Sequence, residues 1–492
     1  MLKRMLHADL SHLAYASLAN GLERRASLCS ALAALSLALT GCSKNAKGPA
    51  SSISDERAAA GAASSISPEA GAAEVFDTPW DWTGIVGTGQ SLAVGEPDGT
   101  RNTPQAAARL TTQPYQNLSL STGTLPWPID ADDPALHLIP LVEPIGRPSI
   151  AYPSSWPTNI AGETPHAAMA NQISALLLAE HGSDYVSVHS EVGENGQCLS
   201  FLVKGAMASG VNGHAYQASL TETTAITNLA RAAGKTFGVG AITVTHGECD
   251  AGNADYETQL HQLWADYAQD FAAITGQTQP PLLIVSQQHS VVDRAASTLA
   301  QWKIGVDYPT DAVCSGPKYQ YPYTPDGVHL LVEGYELLGE KYAQVYYERV
   351  IRQHDWQPLQ PTAAQRTGNA ISVHFHVPVE PLVWEDTYPS PHQTVLTEWS
   401  AGKGFEVRAG STPIPIAGVE ISGDDVVITC SGDLPASGLN VGYAQTADSA
   451  AMTMPHPGTM RWGLLRDSDP FVGRNTGTAQ PNFAVAFELP VP

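Results

Sequence analysis

Between about residues 84 and 353 the chain alternates between short apolar runs and stretches with apolar positions at helical spacing. GIVGTGQS (84–91) reads as a strand entering a Gly-rich turn. PHAAMANQISALLLAEHG (165–182) reads as a helix, with Pro165 near its first turn and Gly182 at its end. YVSVHSEVG (185–193) is a short β-branched run, LTETTAITNLARAAGK (220–235) a helix and FGVGAITVTHGE (237–248) the next strand. ADYETQLHQLWADYAQDFAAITG (254–276) carries a helical stripe, PLLIVSQ (281–287) is a buried strand, and VHLLVEGYELLGEKYAQVYYERVI (328–351) ends in a long amphipathic helix. Residues 97–160 are loop-heavy, with Pro and Trp. Short apolar strands separated by helices predict a parallel sheet with helices on both faces.

After about residue 362 the period changes. NAISVHFHVPV, PLVWED, GFEVRAG, VEISGDDVVITC, LNVGYA and RWGLL are short strands with Gly/Asp turns and no helix between them. The pattern predicts an α/β domain over 79–358 followed by a smaller all-β sandwich over 363–492. His374 and His376 lie two apart on one face of a predicted strand, with no third ligand in view, and read as surface or domain-contact residues. Residues 43–75 are Ala, Ser and Gly with few aromatics, the composition of a flexible tether and not of a fold.

The N-terminus changes the picture of location. Arg24 and Arg25 precede the apolar run ASLCSALAALSLALTGC, too short for a membrane span and right for a signal sequence. It ends in Leu39-Thr40-Gly41-Cys42, which resembles the bacterial lipoprotein box. That resemblance implies a signal peptide over 1–41, lipid on Cys42 and a tether over 42–78. The alternative is an ordinary cleaved signal with a stray Cys. The lipoprotein reading places the chain in a bacterial envelope, lipid-anchored, at the outer membrane or the periplasmic face, and touching the membrane only through its anchor. Ser43 is compatible with onward transport.

The formal charge of −23 excludes nucleic acid as a partner, since nothing would neutralise phosphates. Beyond Cys29 in the leader and the lipid-bearing Cys42, Cys198, Cys249, Cys314 and Cys430 remain, and an exported chain can form disulfides. Cys198 and Cys249 both follow predicted strand ends and could meet; free buried thiols are the alternative.

In an open parallel sheet, chemistry collects on loops at the carboxyl ends of strands. Ser91, in GTGQSLAVG (87–95), can expose its hydroxyl while its own N–H points into the same space, which suits a nucleophile with one oxyanion donor. It could equally cap the next helix. In SEVGENGQCLSFLVKG (190–205), Gly193 and Gly196 let backbone N–H groups approach a ligand, or simply form a tight turn. VTHGECDAGNADYE (244–257) packs His246, Glu248 and Asp250 directly after a strand. His246 and Cys249 have no matching pair elsewhere, so no metal is expected. Asp326 and His329, three apart in PDGVHLLVEGY, then have partners. Ser91 could attack a carbonyl carbon, His329 take its proton, and Asp326 hold the imidazole tautomer. Glu163 and Thr164 could line the cleft or cap the helix that follows. Aromatic residues of 97–160 and 306–325 could stack on sugar rings or pack loops.

The ordered set GQS, GENG, HGECD and DGVH resembles the SGNH (GDSL-type) hydrolase superfamily, nearest its carbohydrate-esterase branch of sialate O-acetylesterases and acetyl xylan esterases. The match covers about residues 84–350. It implies a three-layer α/β/α sandwich of flavodoxin type, cofactor-free ester hydrolysis, and an acylated carbohydrate or other ester as substrate. It implies Ser91 as nucleophile, Asp326 and His329 as acid and base, and Ser91, Gly193 (or Gly196) and His246 as oxyanion donors. Gln90, Gly247, Glu248 and Asp250 would support the site. His246 stands where the branch has Gln, and Cys249 where it has Ser. The alternatives are a lipase, thioesterase or polyester hydrolase on the same scaffold, or a degenerate esterase that binds glycan at the cell surface.

Overall fold

Strands β1 (Trp82–Gly89), β2 (Leu118–Leu120), β3 (Leu138–Pro140), β4 (Ser187–Glu191), β5 (Phe237–Thr245), β6 (Leu282–Gln287) and β7 (Ala312–Pro317) form one sheet in the order β3-β2-β4-β1-β5-β6-β7. β3 runs antiparallel to β2, and the other neighbours are parallel. β4, β5, β6 and β7 are buried throughout, and β1 all but its first residue, which is why they read as apolar runs and not as alternations. In this computed structural model the described residues are 79–95, 108–122, 130–145, 162–210, 212–289, 292–447 and 460–492. The leader, Cys42 and the tether lie outside them. Among the described residues no helix is long and apolar enough to cross a membrane.

Helices α1 (Pro165–His181), α2 (Ala215–Ala232), α3 (Tyr256–Thr275), α4 (Ala296–Asp307) and α5 (Val332–Tyr346) cover the sheet. On one face, Ile85, Ala241, Ile284 and Val313 pack with Ile173 and Leu177 of α1 and Leu338 and Tyr342 of α5. On the other, Val86, Ile242, Val244 and Val285 pack with Ala225 of α2, Leu260 and Phe271 of α3 and Ile304 of α4. Each fully buried aliphatic or aromatic side chain contributes ~1.5–3 kcal/mol. Thr164 caps α1, its hydroxyl accepting from the His166 N–H at 3.2 Å, and Gly182 closes the helix at φ 62°.

From residue 360 onward the strands among the described residues are antiparallel, with one short 3-10 turn at Thr397–Trp399. β8 (Gln360–Thr367), β9 (Ala370–His376), β13 (Ile416–Ser422) and β14 (Asp425–Cys430) form one sheet, and β11 (Phe405–Ala409), β12 (Thr412–Pro413), β15 (Leu439–Tyr443) and β17 (Phe487–Val491) another. β10 (Val383–Trp384) pairs with β16 (Leu465–Arg466). Phe375 meets Phe405 and Phe487 across the two larger sheets, with ring centroids 6.3 and 5.9 Å apart. Phe487 also packs 6.2 Å from Trp302 of α4. The apolar core of this part is thus continuous with one face of the α/β layer. His374 is exposed and pairs with Asp425 at 3.0 Å.

Two buried carboxyls lie beside the start of α1. Glu143 accepts from the Thr164 hydroxyl at 2.6 Å and the Ile145 N–H at 3.0 Å. Glu163 accepts from the Arg109 and Leu110 N–H groups at 2.5 and 3.2 Å, and its Oε1 has no hydrogen-bond partner among the described residues. Burial holds both above the usual carboxylate range; for Glu163 the neighbouring Glu143 adds to the effect. A carboxyl raised in the folded state keeps a proton that the unfolded chain releases. Its stability contribution is therefore complete below about pH 4.3, the unfolded value, and is lost as the pH rises through the folded one. Glu163→Gln keeps the shape without the charge. It is expected to stabilise the protein by ~1–3 kcal/mol at about pH 9 and by little at about pH 5, read as thermal unfolding midpoints.

Candidate active site

Ser91 stands two residues beyond β1. Gly89, at φ 146°, brings this strand end so close to β5 that a Cβ would collide with the Thr245 carbonyl. Gln90 then donates its N–H to that carbonyl at 3.2 Å, and the turn closes through Ala93 N–H to Gln90 O at 2.8 Å. Ser91 is 7% exposed, and no described residue accepts its N–H.

The β7–α5 connection supplies the other two groups. Thr324 N–H donates to His329 O at 2.8 Å, so the chain folds back on itself around Asp-Gly. Asp326 Oδ1 accepts from the Thr324 hydroxyl at 2.6 Å and from the N–H groups of Val328 and His329 at 2.8 and 2.9 Å. That leaves Oδ2 for His329 Nδ1, 2.6 Å away, and His329 Nε2 lies 2.8 Å from Ser91 Oγ. A carboxylate can only accept, so Nδ1 carries the hydrogen and Nε2 presents its lone pair to the Ser91 hydroxyl. Burial alone would raise Asp326, but the hydrogen bonds from His329 and Thr324 outweigh it and bring its pKa down to about 2. The residues that the GQS and DGVH motifs singled out thus form one hydrogen-bonded line.

The second and third loops are clamped to each other. Cys198 and Cys249 form a disulfide with Cα atoms 5.0 Å apart. Asp250 Oδ2 accepts from Leu199 N–H at 2.7 Å. His246 Nε2 lies 3.0 Å from Gln197 O, and its Nδ1 lies 2.8 Å from the Tyr256 hydroxyl. The carbonyl can only accept, so Nε2 donates and Nδ1 accepts. Burial lowers the pKa of this ring and keeps it neutral. His246, expected as an oxyanion donor, therefore spends both ring nitrogens inside the protein and serves as a tie between loops. Gln90 joins the same clamp, its Oε1 accepting from Cys249 N–H at 3.3 Å. Gly247, at φ 117°, leaves room for Gln301, whose amide donates to His246 O at 2.6 Å.

Gly193 is buried, and its N–H donates to Glu191 Oε1 at 2.7 Å. Gly196 sits exposed on the turn at φ 69°. Behind Gly193 runs a buried polar chain that sequence reasoning missed. Glu191 Oε2 lies 3.1 Å from His166 Nε2, His166 Nδ1 2.9 Å from His189 Nδ1, and His189 Nε2 2.9 Å from the Ser187 hydroxyl. Gly87 makes room for it, since a Cβ there would collide with His166 and Glu191. Burial, with His166 beside it, pushes His189 well below the usual imidazole range. Glu194 was missed too: its carboxylate accepts from the N–H groups of Gly213, His214 and Ala215 at 2.8–2.9 Å and so ties the loop to the start of α2. Among the described residues no group of His, Cys, Asp and Glu is arranged to hold a metal ion.

No family model and no curated protein matches the chain. Solved structures do resemble it. A carbohydrate acetylesterase from Xanthomonas citri superposes with a TM-score of 0.49 at 12% identity, covering 83% of this chain and 80% of its own. An Arabidopsis thaliana protein superposes at 0.39 and 17% identity, covering 55% of this chain and 100% of its own. Est24, a carbohydrate acetylesterase from Sinorhizobium meliloti, superposes at 0.28 and 14% identity, covering 54% of this chain and 97% of its own. Two of these three structures that the chain resembles are carbohydrate acetylesterases.

Proposed function

We propose that the chain is a serine esterase that removes O-acetyl or similar small acyl groups from a carbohydrate, on a three-layer framework of flavodoxin type. The observation that carries this reading is the unbroken line Asp326–His329–Ser91, with contacts of 2.6 and 2.8 Å. Ser91 Oγ attacks the ester carbonyl while His329 Nε2 takes its proton, and Asp326 stabilises the imidazolium that forms. The Ser91 N–H, without a partner among the described residues, faces the developing oxyanion. His329 then returns the proton to the leaving alcohol. Water, activated by the same imidazole, releases the acid from Ser91. We place the enzyme in a bacterial envelope, anchored by lipid on Cys42, a reading that rests on the leader's sequence.

The hydrogen bond between Gly193 and Glu191 favours a second reading, a glycan-binding protein without turnover, because it occupies an expected oxyanion donor. One comparison separates the two. Acetate release from acetylated xylan and sugar monoacetates is expected to exceed acid release from long-chain p-nitrophenyl esters in kcat/KM. Faster release of long acyl groups would give the site to a lipase. Sugar binding with no release from any ester would support the second reading.

A further inference from the structure

A buried carboxylate touches the nucleophile turn without taking part in the triad. Glu191, the last residue of β4, is 1% exposed. Its two oxygens reach both ends of the segment that carries Ser91. Oε2 lies against Gly87 of β1, where a Cβ would collide with it. Oε1 accepts from Gly193 N–H at 2.7 Å. Gly193 in turn packs on the far side of the turn: a Cβ there would come within 2.9 Å of Gly89 O and 3.2 Å of Ala93 Cβ. Its neighbours Val192 and Glu194 donate their N–H groups to Gly87 O and Gly89 O at 3.0 and 2.8 Å. One side chain therefore meets β1 at Gly87 and, through Gly193, meets Gly89 and Ala93 on either side of Ser91.

Glu191 is itself held from behind. His166 Nε2 lies 3.1 Å from Oε2 and donates to it, because a carboxylate can only accept. His166 Nδ1 then accepts from His189 Nδ1 at 2.9 Å, and His189 Nε2 accepts from the Ser187 hydroxyl at 2.9 Å. Three donors in a row point at one carboxylate, and this order needs no extra proton on either ring. Ser187 Oγ also lies 2.8 Å from Asn117 Oδ1, so the whole row can reverse without leaving a ring nitrogen unmet. Glu222, Tyr267 and Tyr342 feel the charge of Glu191, and burial keeps all three in their neutral forms.

We propose that Glu191 is a positioning residue for the nucleophile: it fixes the turn that carries Ser91 from both sides, and His166 fixes Glu191. Its effect on the reaction passes through Gly87 and Gly193 and not through the substrate. An apolar side chain of similar size would fill the space but leave Gly193 N–H and His166 Nε2 unmet, and the turn would settle elsewhere. A misplacement of about 1 Å at a reacting atom costs about 100-fold in rate. Glutamine, by contrast, keeps every contact. Its Oε1 accepts from Gly193, its NH2 donates to His166 Nε2, and the row behind reverses, ending with the Ser187 hydroxyl on Asn117. This inference rests on the esterase reading and names what aims that site's serine.

The test compares Glu191→Leu, Glu191→Asp and Glu191→Gln, each assayed well below its own unfolding midpoint. The readouts are kcat and KM on glucose monoacetates and the rate at which a fluorophosphonate labels Ser91. Glu191→Leu is expected to lower kcat and the labelling rate by about 100-fold, with KM within about threefold of wild type. Glu191→Asp keeps the charge but is one methylene too short to hold both contacts, and is expected to lose about tenfold in kcat. Glu191→Gln is expected to stay within about fivefold of wild type. A purely structural role lowers the unfolding midpoint and leaves kcat and labelling of the folded protein alone; that result in Glu191→Leu would overturn the proposal. So would an equal loss in Glu191→Gln and Glu191→Leu. If Glu191→Leu does not fold, Glu191→Asp decides, and a kcat within about twofold of wild type would overturn it. In each of these cases an active wild type leaves the esterase reading intact. If the wild-type protein is folded yet hydrolyses no ester and takes no label at Ser91, the esterase reading fails and the positioning role falls with it.

Discussion

Ser91→Ala is expected to lower kcat on a small acyl ester by about ten-thousand-fold or more while leaving the fold unchanged. The loss is large because the covalent route disappears. Ala supplies no oxygen to attack the carbonyl, and His329 then has only solvent to activate. The residual rate is not zero, because the backbone N–H at position 91 survives the substitution and can still meet an oxyanion. Stability is spared because the hydroxyl's hydrogen bond runs to His329 Nε2, a group close to solvent. Steady-state turnover, with thermal unfolding as control, reads both effects. A folded variant that keeps a tenth of the activity would remove Ser91 from the chemistry.

Asp326→Asn is expected to cost about the same, near ten-thousand-fold in kcat, by a different route. Asn Oδ1 can keep the Thr324 hydroxyl and the two backbone N–H groups that Oδ1 of Asp326 holds now. Its NH2 then faces His329 Nδ1 and can only donate. The imidazole must accept at Nδ1 and carry its hydrogen on Nε2, where it points at Ser91 and cannot take a proton. The wild-type carboxylate, lowered to about 2, stays ionised at any pH near neutrality. As a depressed carboxyl it contributes stability above its unfolded value near 3.8 that is lost as the pH falls through about 2. The pH profile separates tautomer from charge. Because hydroxide can take the Ser91 proton in place of the mis-tautomerised imidazole, activity of the variant should recover partly at high pH. A flat loss across the whole range would point to a displaced loop.

Much of this site was readable because its parts lie in short, ordered segments. A nucleophile turn after a strand, a Gly loop after the next, a polar cluster after a third and D-x-x-H before a helix each leave a local trace. The alternation of apolar runs and helices likewise gave the parallel sheet, since buried strands and amphipathic helices write different periods. What escaped reading was what depends on distant pairing. The edge strands β2 and β3 are only three residues long and lie in a Pro-rich stretch. α4 and β7 are short, and β7 ends in Gly-Pro, which reads as loop. His166 of α1 meets His189 and Glu191 of β4 only after folding, and Glu194 meets the start of α2 only then, so no spacing announces them. His246 was misread for a related reason. Histidine can donate as glutamine does, and only the positions of Tyr256 and Gln197 show that both its nitrogens are spent.

The most direct measurement of the central claim is the site of labelling by a fluorophosphonate, read by peptide mass spectrometry. The probe demands what the geometry offers: a serine oxygen activated by a base, beside a donor for a phosphoryl oxygen. The account predicts one adduct, on the peptide containing Ser91, absent from His329→Ala. A folded protein that takes no adduct, or carries it on another serine, would contradict it.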